Sequence, residues 1–124
     1  MPSENAKALL AAMLNQSFFV ALREPADLSR MDTLLEAHLK WAVQAEREGH
    51  LLASGPFVAQ GQPPGAAGGM TIVRAENLQQ AQALLQQDPF VAEGAVRLSW
   101  KQWSVMEGGF SVQVRFSDQR MKLD

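Results

Sequence analysis

The sequence predicts a single α+β domain in which four strands and two helices follow one another as strand, helix, strand, strand, helix, strand. The length of 124 residues suits one domain. Hydrophobic residues make up 47% of the chain, which places it among globular rather than disordered proteins. Short runs of β-forming residues alternate with stretches of helical periodicity, and this alternation gives the predicted order.

The first half of this order begins with a compact apolar strand. Residues 17–22 (SFFVAL) are rich in β-forming side chains, and Arg23-Glu24-Pro25 ends the run. A long helix is predicted from Asp27 or Ser29 to Glu48, with a capping-box spacing between Ser29 and Asp32 and Gly49 at its C-terminal stop. Its predicted apolar stripe comprises Leu28, Met31, Leu35, His38, Ala42 and Ala45.

The second half supplies three strands and another helix. The predicted strands are residues 51–53, ended by Ser54-Gly55-Pro56, then 70–75 and 96–105. Residues 59–69 are rich in Gly and Pro and predict a loop, either a binding loop or a mobile hairpin tip. The second helix is predicted for residues 77–87, ended by Asp88-Pro89, with Leu78, Ala81, Leu84 and Leu85 facing inward.

This order is that of the ferredoxin-like fold, one antiparallel sheet with two helices on one face. The other face requires a cover, and we expect a second subunit because so short a chain has no further layer. Extensions flank the predicted domain of residues 17–106. Residues 1–16 predict a short helix capped by Ser3, and residues 107–124 predict an extra strand from their alternating pattern, paired with the fourth strand or with the partner subunit.

Composition and charge argue against several classes of function. The 11 basic residues are scattered and the formal net charge is −2, so a nucleic-acid partner is not expected. The chain has no cysteine, which excludes disulfides, thiolate metal sites and a cysteine nucleophile. No apolar stretch is long enough for a membrane span, and the start Met-Pro-Ser-Glu is unlike a secretory signal. We therefore expect a cytoplasmic protein without a membrane partner.

Two residues stand out as candidates for chemistry. His38 lies on the apolar stripe of the first helix, where it is either a hydrogen-bonded core residue or a working base. Asp88 precedes a proline at a helix end, a position at which aspartate is commonly a turn residue. The other histidine, His50, is expected to be solvated. The spacing of the two histidines offers no metal-ligand pattern, so we expect no metal.

Taken as an ordered set, several short motifs resemble the YciI-like (YCII-related) family over about residues 17–106. They are His38-Leu39, the run from Gly49 to Phe57 (GHLLASGPF), Asp88-Pro89-Phe90 with Gly94, and Trp103. The resemblance implies a dimeric α/β barrel of ferredoxin-like subunits and a His-Asp active site at His38 and Asp88. It also implies small cyclic acids or phenolic compounds as substrates, handled without a cofactor. One departure is Leu35, where many members carry an arginine.

A histidine-carboxylate pair suits proton abstraction next to a carbonyl or phenol, leading to isomerisation or elimination. Ser54 could add a hydroxyl hydrogen bond to the substrate, although a turn role is the plainer one. Aromatic residues expected to hold a flat organic ligand are Phe18, Trp41, Phe57 and Phe90. The alternative is a non-catalytic dimeric ligand-binding or assembly module, in which His38 is sealed by side chains instead of opening onto a cavity.

The expected homodimer gives a direct test in solution. An interface through the sheet face should bury more than ~1,200 Å² in total, enough for a stable dimer. Light scattering at micromolar protein concentration should therefore report twice the mass of one chain. A mass of one chain under these conditions would contradict the prediction.

Overall fold

The computed structural model describes residues 1–123, and contacts divide the chain into two compact units. One unit consists of residues 17–104, and the other combines residues 1–16 with the chain from residue 105 onward. No helix in the described part of the chain is long and apolar enough to cross a membrane. The assignment of residues 17–106 to one domain with two extensions stays a prediction.

The elements follow one another in a mixed α+β order. They are α1 (Glu4–Ala12), β1 (Gln16–Pro25), α2 (Leu28–Arg47), β2 (Leu51–Pro56), β3 (Gly69–Val73), α3 (Leu78–Leu85), α4 (Pro89–Ala92), β4 (Val96–Val105), β5 (Val112–Val114) and β6 (Met121–Leu123). The first four strands form one sheet in the order β2-β3-β1-β4, with β3 antiparallel to both β1 and β2. This is the predicted ferredoxin-like arrangement, and the predicted fold class is confirmed.

Two local features of this unit differ from the prediction. Strand β2 does not stop before Ser54-Gly55-Pro56 but continues through it, because Ser54 pairs with Thr71 and Pro56 pairs with Gly69 on β3. The short helix α4 was not predicted. It begins at Pro89, whose fixed φ and missing N–H suit a first helical position, and Asp88 is its N-cap.

Helix α2 is capped by Asp27 at its start and is followed by Gly49 at its end. Asp27 is the N-cap, and its side chain accepts a hydrogen bond from the Arg30 N–H, so the predicted capping box of Ser29 and Asp32 is wrong. Ser29 lies inside the first turn, where its hydroxyl donates to Asp27 Oδ1 over 2.7 Å. Gly49 follows the helix with a φ of +83°, a left-handed conformation that favours glycine and confirms the predicted stop.

The core lies between the sheet and the helices. Phe19 and Ala21 of β1 and Val73 of β3 pack with Ala81 and Leu85 of α3, and all five side chains are buried. Strand register places Phe19 opposite Val73, so these residues share the helix-facing side of the sheet. Leu78 was predicted to face inward but is exposed, because it lies in the first turn of α3 beside the cap.

The opposite side of the sheet also carries apolar side chains. Phe18 and Val20 of β1 alternate with the core residues, and Ile72 of β3 pairs with Val20. All three are buried in a single chain. The homodimer expected from the sheet face and from the family resemblance stays a prediction.

The second unit has its own helix and sheet. Ser3 caps α1 as predicted, since its side chain accepts a hydrogen bond from the Ala6 N–H. Asn15, with a φ of +54°, donates its side-chain amide to the carbonyls of Leu10 and Met13 after the helix ends. Strand β5 lies within the predicted extra strand, but it pairs with β6 and not with β4. Both valines of β5 are exposed, so the buried face expected from their alternation is absent in the described chain.

The two leucines of α3 offer a matched test of this core. Leu85 is 0% exposed, whereas Leu78 is 41% exposed. We expect Leu85→Ala to lower the free energy of unfolding by about 2–5 kcal/mol, because it removes buried apolar surface and leaves a cavity. Leu78→Ala should cost less than about 1 kcal/mol. Urea unfolding followed by circular dichroism measures both, and equal losses would contradict the assignment of the core.

Candidate functional site

His38 and Asp88 are in direct contact although they are far apart in sequence. His38 Nδ1 lies 2.8 Å from Asp88 Oδ1, so the predicted proximity of the two side chains is confirmed. Helix α2 carries His38 on the side that faces α4, and Asp88 immediately precedes α4. The contact therefore links α2 to the start of α4.

The Asp88 carboxylate caps α4 and also forms an ion pair with Arg23. Its side chain caps α4 by accepting the Phe90 N–H at Oδ1 over 3.0 Å. Its other oxygen, Oδ2, accepts a hydrogen bond from Arg23 Nη1 of β1 over 2.7 Å. The side chain is 0% exposed, so these donors replace the water that an ionised carboxylate needs.

The surroundings of Asp88 favour its charged form. Burial alone would raise the pKa of the carboxyl, but the hydrogen bond with His38 and the positive charge of Arg23 outweigh it. The pKa of Asp88 is therefore held below its usual value. The carboxylate is ionised at neutral pH and acts as an acceptor towards both neighbours.

The position of His38 determines which ring nitrogen is available. Because the ionised Asp88 can only accept, His38 Nδ1 carries the hydrogen, and Nε2 keeps its lone pair in the neutral ring. The imidazole stacks on the Phe90 ring at 4.0 Å between centroids, with an angle of 11° between the planes. The side chain is 16% exposed, so it is held firmly yet remains accessible.

A row of polar side chains crosses the sheet beside this pair. Arg23 Nε donates to Thr71 Oγ1 over 2.7 Å, and Thr71 Oγ1 lies 2.8 Å from Ser54 Oγ. Strand register accounts for the row, because Ser54 on β2 pairs with Thr71 on β3, and Arg23 lies two residues beyond the Thr71 partner Ala21 on β1. The row therefore lies on the helix-facing side, at the end of the apolar core.

These groups border a cavity of about 360 Å³ between α2, the sheet and the loop that joins β2 to β3. Its lining includes His38, Arg23, Ser54 and Phe90, the apolar side chains Met31, Leu35, Leu39 and Val96, and Pro63, Pro64, Gly65, Gly68 and Gly69 of the loop. Leu28 and Leu35 belong to the predicted apolar stripe of α2, but both are exposed, and Leu35 borders this open cavity.

The loop approaches β1 closely at a glycine. Gly68 has a φ of +85°, and a side chain there would collide with the backbone carbonyl of Arg23. The Gly68 carbonyl also accepts the Phe57 N–H over 2.8 Å, which closes the loop at its base. Glycine is therefore required where the loop passes beside Arg23.

The structure brings together four of the seven residues predicted for the site. His38, Ser54 and Phe90 line the cavity, and Asp88 is hydrogen-bonded to His38. Trp41 packs against the core cluster, with its ring 6.1 Å from that of His38. Phe18 lies on the opposite side of the sheet under the Arg74 guanidinium, and Phe57 is partly exposed at the base of the loop. None of these last three is among the described residues that line the cavity.

Arg23 and Thr71 belong to the site but were not predicted from the sequence. Arg23 reads as the end of a strand, and Thr71 as an ordinary strand residue. The alternation of Phe19, Ala21 and Arg23 along β1 was the signal that could have placed Arg23 on the helix-facing side. Within residues 1–123 no group of three or more His, Asp or Glu side chains is arranged to hold a metal ion.

Comparison with known proteins adds a family and a fold relative. The model of the YCII-related domain matches residues 17–104. The structure is similar to that of 5-chloro-2-hydroxyhydroquinone dehydrochlorinase from Burkholderia phenoliruptrix, solved in complex with 2,5-dihydroxybenzoquinone. The TM-score is 0.57 at 20% sequence identity, over 69% of this chain and 92% of that one. At this identity the likeness shows a shared fold. No curated protein matches the sequence.

The buried carboxylate predicts a distinctive acid response. Since the folded pKa of Asp88 lies below the unfolded one, its ionised form stabilises the protein above about pH 4, and this contribution is lost as the pH falls through the folded pKa. Asp88→Asn should lower the free energy of unfolding by about 3–5 kcal/mol at pH 7, because Arg23 is left without its buried partner.

The difference between wild type and Asp88→Asn should stay constant from pH 7 to about pH 4, near the unfolded pKa, and narrow as the pH falls further through the folded pKa. Urea unfolding at several pH values measures this difference directly. Asp32→Asn, which removes an exposed carboxylate beside the same cavity, is the matched control and should cost less than about 0.5 kcal/mol throughout. A difference for Asp88→Asn that does not change with pH would contradict the assigned charge state.

Proposed function

The chain belongs to the YCII-related family, and we propose that it is a cofactor-independent enzyme that removes a proton from a small cyclic or phenolic compound. In this proposal His38 is the base and Asp88 orients it. The reaction is an isomerisation or an elimination. The enzyme works as a homodimer, as the family resemblance implies.

The observation that carries the proposal is that His38 borders an open cavity and is not sealed in the core. The cavity of about 360 Å³ falls in the range of small-molecule sites, and a single-ring compound fits that volume. A purely structural His-Asp pair would have no need of such an opening. The catalytic role of the pair remains the proposal, and the cavity is what supports it.

The fixed tautomer gives His38 a defined task. Asp88 holds Nδ1–H, so Nε2 accepts the proton from the substrate, and the carboxylate then stabilises the imidazolium that forms. The electron pair of the broken bond moves into the conjugated system of the substrate. In an elimination the leaving group departs with its bonding pair. In an isomerisation His38 returns the proton to another carbon.

The walls of the cavity support this chemistry. Met31, Leu35 and Leu39 of α2 face the ligand space together with Phe90, which also keeps the imidazole ring in place. Apolar walls exclude water and strengthen the electrostatic contacts inside the site. A flat ring can lie against these side chains while one of its edges meets the polar row.

The relative with the shared fold supports the substrate class. That protein is named for its action on a chlorinated hydroxyhydroquinone, and it was solved with a dihydroxybenzoquinone. Both compounds are flat, single-ring and rich in oxygen. We extend this class, but not the particular substrate, to the present chain.

Chloride release from 5-chloro-2-hydroxyhydroquinone, without added cofactor, provides the first assay, followed by a panel of hydroxylated rings and small lactones. For any compound that is turned over, His38→Gln should lower kcat by about 10²–10⁴-fold, the usual contribution of a general base. His50→Gln is the matched control, because His50 is partly exposed, pairs with Glu48 and does not line the cavity. It should leave kcat within about twofold.

Two results would contradict the proposal. Turnover that survives His38→Gln would remove His38 as the base. Tight binding of ring compounds with no turnover across the panel would favour the alternative of a non-catalytic ligand-binding module.

A further inference from the structure

Arg23 has an unused hydrogen-bonding nitrogen beside the candidate site. Its side chain is only 9% exposed, with Nε bound to Thr71 and Nη1 bound to Asp88. Nη2 is buried and has no hydrogen-bond partner in the structure. A buried cationic donor without a partner is costly in a folded protein, and a ligand oxygen that reaches Nη2 would remove this cost.

Ser54 is placed to donate a second hydrogen bond to the same ligand. Thr71 is 0% exposed, and its oxygen already accepts from Arg23 Nε. The Thr71 hydroxyl also needs an acceptor for its own hydrogen, and the Ser54 oxygen lies 2.8 Å away. Donation from Thr71 to Ser54 satisfies this buried hydroxyl and leaves the Ser54 hydrogen for the cavity.

The distribution of charge favours a negatively charged ligand group. Arg23 is the one cationic side chain among the described residues that line the cavity. The carboxylates of Glu24 and Asp32 also border it, but both residues are exposed, so water and salt weaken their repulsion. The charges of Arg23 and Asp88 cancel, so a proton that His38 takes from the ligand leaves the three side chains with a charge of +1. The ionised oxygen that forms on the ligand restores neutrality.

We propose that Arg23 and Ser54 form a subsite for an ionised oxygen, so that the cavity selects planar organic anions such as phenolates, enolates or carboxylates. The inference rests on the proposed function, because it names the substrate class of the same cavity. Arg23 Nη2 and the Ser54 hydroxyl are the donors to that oxygen, and Thr71 is a positioning residue that acts through both. None of the three takes the proton.

Binding of three ring compounds tests the subsite without any need for turnover. The probes are 2,5-dihydroxybenzoquinone, which is ionised at neutral pH, benzoate, which carries a carboxylate, and hydroquinone, which is neutral. Isothermal titration calorimetry at pH 7 and low salt gives the Kd of each. We expect at least one anion to bind about tenfold more tightly than hydroquinone, the scale of a hydrogen bond to a charged group. The two anions distinguish a phenolate-type from a carboxylate ligand.

Substitutions then locate the preference. Arg23→Gln should bring the ratio of neutral to anionic Kd close to one, while the Kd of hydroquinone changes less than about threefold. Arg97→Gln removes the same charge from an exposed position on β4 and should leave the ratio unchanged. Arg23→Gln also removes the partner of Asp88, so its folding is checked first by circular dichroism. If it does not fold, Ser54→Ala and Thr71→Val take its place, and each should lower the ratio at least threefold.

Several outcomes would overturn the subsite: equal binding of anionic and neutral probes, no measurable binding of any probe at millimolar concentration, or an anion preference that survives these substitutions. His38→Gln separates this proposal from the catalytic one, because it removes the base and leaves Arg23 and Ser54 in place. Anion preference in wild type and in His38→Gln, with no turnover of any compound, would support the subsite and refute the proposed reaction. Turnover without anion preference would support the proposed reaction and refute the subsite.

Discussion

The buried carboxylate of Asp88 is the constraint around which the larger unit is arranged. It receives hydrogen bonds from Arg23 on β1, from His38 on α2 and from the backbone at the start of α4. An isolated charge in this position would be costly, so the three donors stabilise the fold as well as forming parts of the candidate site. Loss of any one of them leaves the remaining charges without full compensation.

The core and the candidate site are two ends of the same layer. Along β1, Phe19 and Ala21 face the helices and are followed on the same side by Arg23, while on β3 Val73 is followed by Thr71. Because side chains alternate along a strand, the buried core residues and the polar row lie on the same side of the same strands, with no loop between them. Side chains that project from a paired sheet are held more rigidly than side chains on loops, which suits a site that depends on hydrogen-bond geometry.

The order of elements and the His38–Asp88 contact could be predicted from the sequence, because the first follows from local periodicity and the second from an ordered set of motifs. The remaining errors have physical causes. A strand buried on both faces shows no alternation, so Phe18 could not be assigned to the correct side. Arg23 was taken for the end of a strand because its buried partners lie 48 and 65 residues away in the chain. The pairing of β5 with β6 depends on residues beyond the alternating segment that predicted β5.

The loop between β2 and β3 is fixed at its base and irregular in its middle. The hydrogen bond between Phe57 and Gly68 and the tight passage of Gly68 beside Arg23 anchor it, whereas Pro63, Pro64 and Gly65 form one wall of the cavity. Insertions or deletions in that middle part would change the width of the entrance without moving the polar floor supplied by the sheet. Over evolution, such a division lets a lineage alter the size of the molecules that the cavity admits while the contacts among Arg23, His38 and Asp88 stay unchanged.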